Sequence, residues 1–389
     1  LPEYAKETYD FIPQEVWDTV KVDGQIYGVP SYKEMGWQGG IVYNSDLAEE
    51  YGIDMSQVAT LEDYTKVLET VAEKSKAAGQ DVIGVSGLVN AWPMAAPYES
   101  LTGNSTLPAV AAVPEYDNFK DMAGETVFNQ YASEEYMNYC KTAYSWNKAG
   151  YLGGDPVNYD SDTANRDNDF NNGKLFSYFI KNAPGNVEMM SNSSGHGVGF
   201  VSLMDPLFET TSVLSGGILA ISSASEHPEK ALEFINLLNT DEYVGTLIRH
   251  GIEGEHYTEV GDNQVDRTMG GTLDPADNGY DYTYGWQFGT PFNQKWDISY
   301  PDNIEELFQE YNDAAVISQN NGFSFDMTPV ETQVAALTNV IAEYGPSLET
   351  GSVDPEEYIP SFLKDLEANG AQDLIDEVTT QVEEYQSSK

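Results

Sequence analysis

Apolar positions recur at helical spacing in three windows of the chain. Leu61, Tyr64, Val67, Leu68, Val71 and Ala72 predict a helix opening at Thr60, whose hydroxyl suits an N-cap. Glu62 and Asp63 favour the positive end of its dipole, and Gly79 closes it. Tyr136, Met137, Cys140, Ala143, Tyr144 and Trp146 predict a second helix after Ser133. Ala231, Leu232, Phe234, Ile235, Leu237 and Leu238 predict a third, opened by Pro228. Short apolar runs at 39–43, 81–85, 173–180 and 216–221 predict strands, and 22–30 reads as a hairpin about Asp23-Gly24. Asn44-Ser45-Asp46 can cap a short helix, Leu47–Tyr51. Strands alternating with helices give an α/β texture. Residues 90–130 are broken by Pro93, Pro97, Pro108 and Pro114, and 251–303 are rich in turn residues. The C-terminal part is predicted helical over 303–319, 328–344 and 354–386, with breaks at Gly322 and Gly345-Pro346.

Composition narrows the function. The chain has 389 residues, enough for two or three domains, and 40% of them are hydrophobic, so a packed core is expected. Lys plus Arg total 18 against 64 Asp plus Glu, a net charge of −46. That excludes nucleic acid as a partner and docking on anionic lipid through a basic patch, and it favours neutral or cationic ligands. The single cysteine, Cys140, excludes an internal disulfide framework and a Cys-rich zinc site, and reads as a small core residue. No apolar run is long enough to span a membrane. The chain opens Leu1-Pro2-Glu3 without a charged leader, so Leu1 reads as a cut end.

Catalytic signatures are missing: there is no Gly-x-Ser-x-Gly elbow, no His-Glu-x-x-His and no phosphate loop. His250, Glu253 and His256 could form a metal cluster, but their glycine-rich spacing fits a structural loop better. Gly195-His196-Gly197-Val198-Gly199 resembles a nucleotide loop only superficially and reads as a turn. Asp160, Asp162, Asp167 and Asp169 evoke a calcium loop without its central Gly or closing Glu. No metal and no cofactor are therefore expected. Tyr, Phe and Trp reach 12%. Most belong to the core, while some suit a groove that stacks on sugar rings. A pair of carboxylates for glycoside hydrolysis needs no sequence motif, so a glycoside hydrolase or lyase is the enzymatic alternative. A peptide- or other solute-binding surface protein is the third reading.

An ordered set of segments resembles the family 1 extracellular solute-binding proteins of ABC sugar importers. It comprises Asp23-Gly24-Gln25-Ile26-Tyr27-Gly28-Val29-Pro30, Ile41-Val42-Tyr43-Asn44-Ser45-Asp46-Leu47 and Phe170-Asn171-Asn172-Gly173-Lys174. Gly217–Ile221, His227-Pro228-Glu229-Lys230-Ala231 and Phe234-Ile235 follow. His250–Tyr257, Gly322–Asp326 and Leu348–Pro355 look like the lipoprotein LipO/LplA-like branch. The family normally carries a longer stretch before the first segment, including a lipid-anchored cysteine, whereas 22 residues precede it here.

The resemblance implies a two-lobe, type II periplasmic-binding-protein-like α/β fold with hinge crossings near 30–37, 215–218 and 290–303. Residues 1–32 would belong to the first lobe, 33–215 to the second and 216–295 to a return to the first. A helical segment, 296–389, would pack across both. The implied function is capture of a neutral oligosaccharide by lobe closure and delivery to ABC permease subunits, without chemistry. The protein would be a monomer, extracellular, and a Gram-positive surface lipoprotein whose anchor lies outside this chain. By their place in this layout, Glu34, Trp37, Trp92, Lys181, Asn182, Asn186, Trp286 and Gln287 are the candidate ligand contacts. Trp17, Trp146 and Trp296 are assigned to packing.

Overall fold

The computed structural model describes residues 3–22, 24–89, 91, 98–100, 111–114, 127–161, 163–203, 207–208, 217–274, 278–280, 287–315, 317 and 320–388. In chain order the first elements are α1 (Lys6–Phe11), α2 (Gln14–Asp18), β1 (Lys21–Val22), β2 (Gln25–Ile26), β3 (Val29–Pro30), β4 (Gly36–Asn44), α3 (Ser45–Tyr51), α4 (Leu61–Ala77) and β5 (Ile83–Ser86). Next come β6 (Tyr98–Ser100), β7 (Ala111–Pro114), β8 (Phe128–Asn129), α5 (Glu134–Ala149), α6 (Pro156–Ser161), α7 (Thr163–Asn171), β9 (Leu175–Asn182), α8 (Asn186–Ser194) and β10 (Val198–Ser202). The rest are β11 (Leu207–Phe208), β12 (Ile218–Leu219), α9 (Pro228–Thr240), α10 (Glu242–His250), β13 (Thr258–Val260), β14 (Gln264–Asp266), β15 (Trp296–Asp297), α11 (Ile304–Ala314), α12 (Glu331–Glu349), α13 (Pro355–Ala368) and α14 (Ala371–Ser388). Local chemistry sets many of the boundaries. Asn44, Thr60, Ser133, Asp241 and Asp354 each accept a backbone N–H at a helix start, a contribution of about 1 kcal/mol apiece.

The chain packs as two units. Unit 1 comprises Leu1–Trp37, Ala183–Glu188 and Leu207–Phe323, and unit 2 comprises Gln38–Asn182, Met189–Pro206 and Ser324–Lys389. The chain thus passes from one to the other after Trp37, Asn182, Glu188, Pro206 and Phe323.

In unit 1, α1 packs on α9, and Ile12, Val16, Trp17, Val29, Met35 and Ile235 form the core beneath them. Trp17 is buried and its indole N–H donates to the Tyr9 carbonyl at 3.2 Å, so the ring is satisfied inside the core. The strands are short: a β1–β2 hairpin, a β3–β12 ladder, and β13–β14–β15. Trp296, Ile304 and Phe308 form a second cluster with Phe292 and Tyr300.

Unit 2 holds a sheet in the order β10–β4–β9–β5. β9 runs parallel to β5 and antiparallel to β4, with Gln38 opposite Asn182 and Ile41 opposite Phe179. Helix α4 packs on β5, α7 packs on β9, and Ile41, Tyr64, Leu68, Val71, Val85, Trp146 and Phe179 fill the core. Tyr64 hydrogen-bonds Ser177, whose hydroxyl donates to the Gly84 carbonyl at 2.7 Å, so a polar chain crosses the core fully paired. Cys140 lies fully buried in α5 and burial pushes its thiol far up, as a packing residue requires. Gly40 sits where a side chain would run into the Val201 carbonyl and the Phe200 ring, so close packing accounts for it.

Two helix expectations are corrected. Gly345-Pro346 does not break the helix: α12 runs from Glu331 to Glu349 through Pro346. The proline removes one N–H near the end, and Thr350 satisfies the Pro346 carbonyl with both its amide, at 3.2 Å, and its hydroxyl, at 2.7 Å. The helix predicted over 354–386 is two helices, because Gly370 takes φ +93° between α13 and α14.

Helices α12 and α13 both pack on α5. The turn between them presses into the α5 backbone: Asn147 donates to the Thr350 carbonyl at 3.1 Å, and Gly351, at φ +62°, lies against the Ala143–Tyr144 peptide. A Cβ there would overlap that peptide, which is backbone and cannot swing away. Gly351→Ala should therefore lower the melting temperature by roughly 5 °C, with an unchanged melting point counting against this docking.

Candidate functional site

The sequence-predicted contacts fall into two groups. In unit 2, Lys181 and Asn182 do not follow a strand that ends at Ile180: they are the last two residues of β9, paired with Gly39 and Gln38. The strand continues because β4 offers a partner through Gln38. Both β5 and β9 run toward this edge, and the carboxyl ends of parallel strands in α/β sheets are where ligands collect. Gln38, Lys181 and Asn182 present an amide, an ammonium and a second amide there. The segment after β5 is held in place: the Tyr139 phenol donates to the Leu88 carbonyl at 3.2 Å and Ala91 N–H returns to the same carbonyl at 3.0 Å. Trp92 lies outside the described residues, as does Trp286.

In unit 1, Glu34 is half-buried and pairs with the buried Lys33 at 3.1 Å. This pair ties the half-buried Glu34 carboxylate into the structure. Asn312 fixes this segment. Its carbonyl oxygen accepts Met35 N–H at 2.6 Å and Gly36 N–H at 3.3 Å, and its amide donates to the Lys33 carbonyl at 2.9 Å. Trp37 follows in β4, opposite Leu207. Asn186 opens α8, and the preceding Gly185 packs on the Tyr300 ring. Burial raises the Tyr300 phenol, Arg249 opposes this, and Glu34 and Asp297 add to it. Gln287 is exposed, and its backbone lies against Gly217. Sequence reasoning did not single out Gln38, Lys33 or Tyr300. Only the ladder register and the fold of 183–188 bring them to these places.

The histidines of the 250–256 loop are tied into the local structure. His250 is buried, donates from Nε2 to the Lys295 carbonyl at 2.8 Å, and leaves Nδ1 without a partner among the described residues. His256 accepts Ile252 N–H on Nδ1 at 2.9 Å and lies beside the Tyr280 ring. Among the described residues no group of three His, Cys, Asp or Glu side chains is placed to hold a metal ion. Asp167 pairs with Arg166, and Asp169 accepts from the Tyr159 phenol at 3.0 Å. A cavity of about 300 Å³ lies at the opposite edge of the unit 2 sheet, lined by Asn44, Asp46, Glu50, Asn172 and His196 among others. No helix among the described residues is long and apolar enough to cross a membrane.

Comparison with known proteins gives this geometry its setting. Residues 2–245 match the family described as bacterial extracellular solute-binding protein, and 319–387 match a domain of unknown function (DUF3502). A carbohydrate ABC transporter substrate-binding protein of Streptococcus pneumoniae is 23% identical over 384 residues, spanning 95% of this chain and 71% of that one. The crystal structure of the N-glycan transport solute-binding protein NgtS from Streptococcus pneumoniae superposes with TM-score 0.80 at 23% identity, covering 99% of this chain and 81% of that one. A solute-binding protein from Bifidobacterium longum infantis, described as HMO-binding, superposes with TM-score 0.60 at 14% identity, covering 99% and 82%. The fold is thus that of the periplasmic-binding-protein-like solute-binding proteins. The chain belongs to the bacterial extracellular solute-binding protein family, a family of binding proteins and not of enzymes.

Burial pushes His250 down to about 4, the Lys295 carbonyl partly opposing this, so the folded state resists protonation that the unfolded chain accepts near 6.5. Stability should fall as pH drops from about 6.5 to about 4, by about 3 kcal/mol from this group. Urea titrations should show a smaller loss over that range for His250→Gln than for the native chain, and an equal loss would refute the assignment.

Proposed function

We propose that this member of the extracellular solute-binding family is the carbohydrate-capturing component of an ABC importer. It binds a neutral oligosaccharide without chemical change and hands it to permease subunits. The observation that carries the reading is the polar carboxyl edge of the unit 2 sheet, where Gln38, Lys181 and Asn182 offer donors and acceptors suited to sugar hydroxyls. The pneumococcal relative named for carbohydrate transport supports it, as do NgtS structures in complex with Man1GlcNAc and Man5GlcNAc. The net charge of −46 disfavours anionic sugars. The same reading takes the protein as a monomer, held as a lipoprotein on a Gram-positive surface.

Isothermal titration with Man1GlcNAc, Man5GlcNAc, kestose and an alginate oligosaccharide tests this. A neutral sugar should give a saturable isotherm at about micromolar dissociation constant or tighter and be recovered unchanged, while the alginate fragment gives no heat. Lys181→Ala should weaken the binding roughly tenfold. Release of new reducing ends would establish a hydrolase instead. Silence with every sugar, from a cooperatively melting protein, would mean a non-carbohydrate solute.

A further inference from the structure

Helix α5 is buried along two flanks that meet different partners. Tyr139 and Trp146, two turns apart, lie on one flank, and Tyr136, Cys140 and Asn147 lie on the next. The first flank meets the body of unit 2. The Trp146 indole donates to the Thr65 hydroxyl of α4 at 2.9 Å, and the Tyr139 phenol donates to the Leu88 carbonyl at 3.2 Å. The second meets the C-terminal helices. Tyr131 and Tyr136 lie against the Phe362 ring of α13, with ring centroids 5.1 and 6.5 Å away, and Asn147 donates to the Thr350 carbonyl. Lys141 adds an ion pair with Glu356 at 2.8 Å. All of these residues belong to unit 2, and Thr350, Glu356 and Phe362 fall within 319–387, the stretch matched to a domain of unknown function.

At Leu88 this chain of contacts reaches the candidate edge. Leu88 follows β5 at the carboxyl end of the sheet and is fully buried. Its carbonyl accepts from Tyr139 and from Ala91 N–H, so the 88–91 turn is closed and anchored on one oxygen. One residue earlier, Gly87 takes φ +73° and lies on the Phe179 main chain of β9, where an added Cβ would stand 3.0 Å from the carbonyl oxygen. Residues 87–91 are thus fixed by β9 on one side and by α5 on the other. Packing alone would be served by a phenylalanine at 139, whereas the hydroxyl supplies a directed bond to a main-chain atom. We infer that Tyr139 is a positioning residue for ligand binding, holding 87–91 in the binding conformation. The 319–387 region is the buttress that keeps α5, and with it Tyr139, in place. A segment set before the ligand arrives loses less conformational entropy on binding. The inference rests on the carbohydrate reading, which puts the ligand at this edge, and gives the C-terminal region a part in it.

Hydrogen exchange of the free protein and titration with Man5GlcNAc test it on the native chain, Tyr139→Phe, Asn147→Ala and the double variant. Tyr139→Phe keeps the ring and removes the bond, so it should melt within about 4 °C of the native protein. Its amides at 87–91 should exchange roughly fivefold faster, and the sugar should bind roughly five- to tenfold more weakly. Asn147→Ala should move both readouts the same way, and adding it to Tyr139→Phe should change them little further, because both act through one contact. Unchanged exchange at 87–91 in Tyr139→Phe overturns the positioning role whatever the ligand, since a merely structural phenol would alter melting without a local change there. Faster exchange with native affinity also overturns it and leaves the carbohydrate reading standing. Unchanged exchange at 87–91 in Asn147→Ala overturns the buttress. If the native protein does not bind the sugar, the assignment falls together with that reading.

Discussion

The β4–β9 ladder is the constraint on which unit 2 and its candidate edge depend. Its register sets Ile41 against Phe179 in the core and, three pairs on, Gln38 against Asn182 at the edge. Side chains alternate faces along a strand, so a slip of one residue would expose the core pair and reorient Lys181 and Asn182 together. Burial of Ile41, Phe179 and their neighbours therefore specifies the placement of polar groups that contribute little to stability themselves. The candidate contacts are positioned by a hydrophobic pairing several residues away.

Charge shapes the rest of the account. With 64 acidic residues against 18 basic ones, each cation is a scarce local feature. Lys33 is buried against Glu34, and Lys295 pairs with Glu259 at 2.8 Å. Such pairs mainly neutralise what burial would otherwise penalise. Lys181 is exposed at the carboxyl edge of the unit 2 sheet. On the proposed reading, binding of a neutral solute would rely on local geometry, and the global field would turn anionic competitors away.

Much of the fold was legible in the sequence where one local signal dominated. The Thr60 and Ser133 caps, the apolar stripes they open and the buried runs of β4 and β9 all depend on short-range chemistry. The α/β class and the family followed from the order of such pieces. Legibility failed where a tertiary partner outweighed local preference. Pro346 stays helical because Thr350 caps the carbonyls around it, and Asn369-Gly370 ends a helix inside a pattern that reads as continuous. At the site, Lys181 and Asn182 were visible as the end of an apolar run, but their ladder partners were not. Gln38 carried no sequence signal, since register is a property of the folded chain.

Hydrogen exchange of the native protein with and without saturating Man5GlcNAc would report where a solute acts without assuming which side chains matter. Slowed exchange is expected in 87–89 and in 181–182, at the carboxyl edge of the unit 2 sheet, with the glycan unaltered afterwards. Protection confined to 44–46 and 194–197 at the opposite edge, or no protection beside a cleaved glycan, would contradict it.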